Sequence, residues 1–448
     1  MTVAGERPLT TLGRRAFWDR DVYRAELTRV FRTTWLFVGL ESEIPTPGDY
    51  VTRPMAEDRV IVVRDEEGVV RVLLNTCRHR GAQLCSADAG NTSHFRCSYH
   101  GWTYNNAGDL RGVPEMREVY GKDFDRGEHG LLGPPKVDTF HGLIFASWNP
   151  EAPPLVDYLG DAAWYLEAIF GRADQNLEIM GPPSRNMVGT NWKVGAENYV
   201  GDGYHLSTTH QIPIRMGVFG DPRAMDDIEN RRADPFHCVV AGNGHGVRVQ
   251  QIPMEYPRPT FVGYPEQLWP EFERNLDTDQ RDLMTGLAVM HGNIFPNFSF
   301  IEVLQMPWGG AAAAPTAYTH IRLWSPLDVD RTEMLAWGLV PPGSPPEYRA
   351  AARKALIRTN HVSGSFDVDD LQNWTSMAEA NAGVTAQTDV FNYAGGADLE
   401  PASYRGWPGR VYGVDHSEVN QRHMYETWAE LMDWDPSLGR VRDATEGE

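Results

Sequence analysis

Two short clusters bound what this chain can fold into: Cys77-Arg78-His79 and, after 17 intervening residues, Cys97-Ser98-Tyr99-His100. Each puts one thiol and one imidazole in a single tight loop. Two thiolates and two neutral imidazoles are the ligand set of a [2Fe–2S] centre in which the sulfurs hold one iron and the histidines the other. Zinc also accepts two Cys and two His, but zinc fingers pair Cys with Cys and His with His, so a zinc-held structural or interaction protein ranks behind. The two loops have to meet, and hairpins of a small β domain bring loops together. From about 48 to 150 the texture agrees. Short β-rich runs (Val60–Arg64, Val69–Leu74, Gly142–Trp148) are broken by Gly, Asn, Asp and Pro, and Pro150, Pro153 and Pro154 close the unit.

Only four cysteines occur in 448 residues, three of them within 21 positions. That clustering argues for metal rather than an extracellular disulfide framework. Cys85 and Cys238 have no partner pattern and read as buried apolar thiols. Outside the β-rich stretch, Tyr23, Leu27, Val30, Phe31 and Trp35 predict a helix over 22–36. Further helices are expected near 155–170, 196–210 and 278–291, strands near 245–252, 297–306 and 317–324, and mainly helices from 346. The acidic tail Asp443–Glu448 is expected to fray. A net charge of -20 without any basic run excludes a nucleic-acid binder. No run of about 18 apolar residues predicts a membrane span, and Met1–Arg15 lacks a signal-peptide core. A cytoplasmic protein is therefore expected.

A second constellation follows at Glu197-Asn-Tyr-Val-Gly-Asp202-Gly-Tyr-His205-Leu-Ser-Thr-Thr-His210. Two histidines five apart, with an acid three before the first, suggest a metal site. Two imidazoles and one carboxylate on one face of an iron leave positions open for O₂ and substrate. Five positions turn an ideal helix through roughly 140° from the starting face, so the helix has to kink or end between His205 and His210. By itself the pattern is also that of two ordinary histidines near a helix end.

The wider motifs decide between these readings. Cys77-Arg-His-Arg-Gly81, Gln83-Leu-Cys85, Cys97-Ser-Tyr-His-Gly-Trp102 with Tyr104, and Gly142-Leu-Ile-Phe-Ala-Ser-Trp148 resemble the Rieske domain of the aromatic-ring-hydroxylating dioxygenase large (alpha, catalytic) subunits. Asn198…Asp202-x-Tyr204-His205-x₄-His210 resembles the iron-binding helix of that family. Phe366-Asp-Val-Asp-Asp370-Leu-Gln-Asn373-Trp374 resembles its later F-E-x-D-D-x-x-N-W run, with Asp367 where Glu is usual. The resemblance covers essentially the whole chain. It implies an α+β fold: an all-β Rieske domain over 40–155, set into a catalytic domain (1–39 and 156–448) with a central antiparallel sheet wrapped by helices in helix-grip fashion. It implies Cys77, His79, Cys97 and His100 as cluster ligands, and His205, His210 and Asp370 as ligands of a mononuclear Fe(II). Asp369 is left to the start of a helix. It further implies catalytic roles for Asn198 and Asp202, the latter bonded both to His205 and to His100 of a neighbouring subunit, because the two metals of one chain lie too far apart for electron transfer.

The activity implied is addition of both atoms of O₂ to an aromatic ring, giving a cis-dihydrodiol. Electrons would come from NADH through a flavin reductase and a ferredoxin, since no flavin or nucleotide fingerprint occurs in this chain. An α₃ trimer or an α₃β₃ assembly with a small beta subunit is expected. A monohydroxylase of an aromatic acid such as a substituted benzoate or salicylate is the alternative, and a Rieske electron carrier without catalytic iron is another. By resemblance, pocket walls fall near Asn198, Leu206, Met216, His291–Phe295 and Thr359–Phe366. Ser207-Thr208-Thr209 replaces the usual Gly-Trp-Thr, and Asn360 stands where a large apolar residue is common. With Arg215 these bring an aromatic acid into view, behind a hydrocarbon.

Overall fold

The computed structural model describes residues 8–217, 236–252, 258–305, 315–404, 406–414, 416–435 and 440–441. The acidic tail falls outside them. The chain divides into two compact units, Phe31–Leu155 and Met1–Val30 with Val156–Glu448.

The smaller unit is all β. One antiparallel sheet runs Val70–Leu74, Asp58–Arg64, Asp49–Met55, Ala89–Asn91; a second runs His94–Arg96, Thr103–Asn105, Leu110–Gly112. Ile61, Val63, Leu73, Cys85 and Phe95 form a core between strands, so Cys85 is an apolar packing residue. In a third sheet Lys136–Phe140 and Leu143–Ser147 pair across His141 and Gly142, and Leu36–Leu40 adds to Leu143–Ser147. Both turn residues have positive φ, 46° and 83°, as a two-residue hairpin loop of matching twist requires. The strand Leu36–Leu40 moves the division ahead of the expected 40. It also corrects the helix expected over 22–36, which is Arg20–Glu26 followed by a single π turn, Leu27–Phe31. All five residues of Leu36–Leu40 are buried, and a continuous apolar run carries no period that separates strand from helix.

Among the described residues the larger unit is built on a nine-stranded antiparallel sheet. Its order is Glu178–Ile179, Arg331–Val340, Thr316–Asp328, Phe298–Gln305, Leu287–Ile294, Gly246–Gln251, His237–Val240, Arg410–Tyr412, with Ser184–Val188 also on Arg331–Val340. Helices Trp192–Gly201, Val419–Met432 and Asp367–Asn381 accompany it. This is the all-β domain plus helix-covered antiparallel sheet that the motifs implied. The helix expected over 278–291 stops at Met284, and Leu287 already starts a strand. Gly286, at φ 83°, makes the break. Cys238 is fully buried beside Val240, Tyr412 and Val419.

Helix Trp192–Gly201 lies close on the sheet. A Cβ at Gly195 would come within 2.7 Å of the Trp324 ring. That ring is buried and pinned by its Nε1 donating to Ser299 Oγ at 2.8 Å. Overpacking of this kind costs about 1–3 kcal/mol. Gly195→Ala is therefore expected to lower the free energy of urea unfolding by that amount, and an unchanged value would show that the helix is free to lift.

Candidate metal centres

In the smaller unit the two Cys-His loops share one backbone plan. Cys77 N bonds Ala82 O and Gly81 N bonds Cys77 O; Cys97 N bonds Trp102 O and Gly101 N bonds Cys97 O, all at 2.8–3.0 Å. Gly81 and Gly101 take φ of 75° and 73°, which a side chain would resist. The plan brings both thiols into one cluster with Trp102, Tyr104 and Leu110. The His79 and His100 rings meet with centroids 4.5 Å apart. Trp102 stacks on His79 at 4.9 Å and 5°, and the Tyr104 hydroxyl lies 3.5 Å from Cys77 Sγ. Burial, with His100 and Arg80 beside it, holds His79 below the usual histidine range, the neutral form that binds metal. Nδ1 of both histidines is buried without a hydrogen-bond partner. Two orphaned ring nitrogens beside two buried thiols fit the donor set of a Rieske cluster.

In the larger unit helix Trp192–Gly201 ends at Asp202, so the helix expected over 196–210 already stops ahead of His205, earlier than the break expected between His205 and His210. His205 precedes the one-turn helix Leu206–Thr209 and His210 follows it. His205 Nε2 and His210 Nε2 stand 3.2 Å apart. Asp370 Oδ1 is 3.6 Å from the first and 3.2 Å from the second. Among the described residues this is the group of three donors whose ligand atoms gather within 4.8 Å. Ligands about 2.1 Å from one ion and at right angles would sit about 3 Å apart. Two imidazole lone pairs facing each other repel unless a cation lies between them, so the geometry fits a mononuclear ion. Asp370 is in the first turn of helix Asp367–Asn381, and Asp369, in the same turn, stays outside the group.

Around the triad, Asp202 Oδ2 lies 3.1 Å from His205 Nδ1, near enough for an ion pair though outside hydrogen-bond alignment. Its Oδ1 accepts from Tyr204 N at 3.0 Å. Burial alone would raise the Asp202 carboxyl, but His205 and the turn's N–H groups carry it below the usual range. Asn198 Nδ2 is 3.5 Å from His205 Nε2. His210 packs against Phe366 at 4.7 Å. Arg322 Nη2 bonds both Asp367 oxygens at 2.6 and 2.7 Å, tying the Asp370 helix to the sheet.

The sheet face beneath is a register of cross-strand rows. Arg248, His291, Ile301, His320 and Gly338 are successive partners. His291 donates from Nδ1 to Tyr199 O at 2.9 Å, and burial with Arg248 nearby drives it down to about 3. Gln250, Val289, His291 and Ile301 are only half-buried in the middle of the sheet, which marks an open cleft floor. Strand alternation corrects the expected wall His291–Phe295: His291 and Asn293 face this side, Gly292 and Ile294 the other. Met216 is 54% exposed and Arg215 is also exposed. Arg322, its pairing with Asp367, and His320 escaped sequence reasoning. Polar residues at every second place in the apolar strand His320-Ile-Arg322 were the available signal.

A mixed-ligand cluster fold and a two-histidine, one-carboxylate site define a non-haem iron oxygenase of Rieske type. Residues 34–128 match the Rieske [2Fe-2S] domain family and residues 155–434 the ring hydroxylating alpha subunit (catalytic domain) family, and the chain belongs to the ring-hydroxylating alpha subunits. Its cofactors are accordingly a [2Fe–2S] cluster and a mononuclear iron. It is 34% identical to the N,N-dimethyl phenylurea N-demethylase subunit alpha of Sphingobium sp. (strain YBL2), over 93% of this chain and 90% of that one. It is 33% identical to the biphenyl dioxygenase subunit alpha of Paraburkholderia xenovorans (strain LB400), over 96% and 92%. The structure of naphthalene 1,2-dioxygenase from Rhodococcus sp. bound to indole superposes with a TM-score of 0.88 at 40% identity, over 94% of each chain. Among the described residues no helix is long and apolar enough to cross a membrane.

Proposed function

We propose that this chain is the catalytic subunit of a multicomponent aromatic-ring dioxygenase, adding both atoms of O₂ to one face of a ring to give a cis-dihydrodiol. The observation that carries the reading is the convergence of His205 Nε2, His210 Nε2 and Asp370 Oδ1, 3.2–3.6 Å apart, with the half-buried floor of Val289, His291 and Ile301 in the same unit. Iron held by such a set keeps positions open for O₂. Cys77, His79, Cys97 and His100 hold the cluster that takes single electrons from a ferredoxin, itself reduced from NADH by a flavin reductase. Asp202 fixes the orientation of His205 through its second ring nitrogen, and Asn198 borders the reacting position. Val289 and Ile301 offer apolar surface for the ring, with neutral His291 beside them. We place the chain in the cytoplasm as part of an α₃ or α₃β₃ assembly.

The phenylurea N-demethylase relative favours a second reading, insertion of one oxygen atom with loss of a methyl group. Monohydroxylation of an aromatic acid belongs to the same one-oxygen class. Cells expressing the chain with ferredoxin and reductase, given ¹⁸O₂ and an aromatic panel, separate these. The dioxygenase reading expects a diol with two heavy oxygens. A phenol with one heavy oxygen, or formaldehyde from an N-methyl substrate, establishes the one-oxygen class. No oxygenated product from any compound contradicts both.

A further inference from the structure

We propose that Tyr120 is a positioning residue for the cluster: its hydroxyl accepts the outer N–H of His79, fixes that imidazole and makes the cluster harder to reduce. The inference rests on His79 being a cluster ligand and not on which oxygen chemistry follows. The Tyr120 hydroxyl lies 3.1 Å from His79 Nε2. The other ring nitrogen, Nδ1, is buried without a hydrogen-bond partner and is the one left for metal. A neutral imidazole carries a single N–H. With Nδ1 given to iron, that hydrogen sits on Nε2, so the ring donates and the Tyr120 oxygen accepts.

The hydroxyl is held in place by its own ring. Tyr120 ends the short helix Met116–Tyr120. Its ring lies edge-on to Trp102 at 5.9 Å and 75°, and against Phe124 at 4.8 Å. Trp102 is buried and is the ring that stacks on His79. Phe124 in turn packs on Trp102 at 5.7 Å and on His129 at 4.6 Å. One aromatic group therefore supports both the face and the outer nitrogen of His79. Tyr104 has a different partner, since its hydroxyl meets Cys77 Sγ at 3.5 Å and accepts from Arg78 N at 3.1 Å. The two tyrosines thus address one ligand of each kind. An acceptor on the outer N–H raises the basicity of a metal-bound imidazole. A stronger donor favours ferric over ferrous iron, and the hydrogen bonding and exposure of a cluster set its potential. Tyr120 therefore makes the stored electron a stronger reductant toward the mononuclear iron.

The test is a redox titration of the full chain at fixed pH, followed by EPR. Tyr120→Phe keeps the ring and removes only the acceptor. It should retain acid-labile sulfide and the Rieske signal. Its potential should rise by at least about threefold in the one-electron reduction equilibrium, about 28 mV. In pulsed EPR of the reduced protein, one of the two histidine nitrogen couplings should change and the other stay, because the hydroxyl meets His79 alone of the pair. Tyr120→Leu reads the same quantities if the first variant misfolds. A potential that stays put or falls overturns the proposal. So do nitrogen couplings that are unchanged or that move together, and so does loss of sulfide from folded protein, which makes Tyr120 a structural support only. His79→Ala judges the ligand reading separately. It should lose sulfide and signal, and a cluster retained there removes the ground for the proposal, whereas a cluster lost there with an unmoved potential in Tyr120→Phe removes Tyr120 alone.

Discussion

Asp202→Ala is expected to lose at least about 10–100-fold in turnover, the usual cost of removing a carboxylate behind a metal-bound histidine, while both metals stay largely loaded. The residue lies 3.1 Å from His205 Nδ1 and receives the Tyr204 N–H on its other oxygen, so it is placed to orient the imidazole without being one of the three converging donors. If Asp202 also bonds His100 of a neighbouring subunit and so bridges the electron path from cluster to iron, the loss exceeds that range. Mixed oligomers then discriminate. A chain with Cys97→Ser has no sound cluster, and one with His205→Ala no sound iron. Assembled together they should recover part of the activity that each lacks. Retained turnover in Asp202→Ala would contradict the role, and inactive mixed oligomers of proven assembly would contradict transfer between subunits.

The largest stability effect is expected at Glu26. Its carboxylate is fully buried and takes three donors: the ammonium of Lys193, Trp428 Nε1 at 2.7 Å and Trp192 Nε1 at 3.0 Å. Lys193 is equally buried, its Nζ 5.1–5.4 Å from the ring centroids of Phe17, Trp192 and Trp428. Burial pulls its pKa down against the opposing pull of Glu26. Removing one partner of a buried pair leaves a bare charge and costs about 3–5 kcal/mol. Glu26→Ala should lose that much in chemical unfolding, whereas Glu26→Leu with Lys193→Met should recover most of it. Because Trp192 and Lys193 open the helix that ends at Asp202, the single variant should also loosen the iron site. A loss below about 1 kcal/mol would mean that water reaches Lys193.

Chemistry was more legible in the sequence than packing. The Cys-His loops are local: each supplies two donors within four residues, and a glycine shapes each turn. His205 and His210 are nearly as local. Asp370 joins them only in three dimensions and was reached through resemblance, because nothing in local spacing separates Asp369 from Asp370. Structure separates them, since one turn of helix aims Asp370 at both histidines. Element boundaries failed where apolar residues run on unbroken, as at Leu36–Leu40, or where a helix passes into a buried strand, as at Met284 and Leu287. The Arg322–Asp367 and Lys193–Glu26 pairs were invisible, since their partners lie 45 and 167 positions apart.

Iron and acid-labile sulfide counting, joined to EPR, tests most directly the claim that two separate iron centres rest on these named residues. Wild-type protein should hold the two irons and two sulfides of the cluster and one further iron per chain, with a Rieske signal on reduction. Asp370→Ala should lose the single iron alone, keeping sulfide and signal. Cys97→Ser should lose sulfide, colour and signal while keeping the single iron. Loss of sulfide in Asp370→Ala, an iron count unchanged by either substitution, or a colourless wild-type protein made with ample iron would contradict the account.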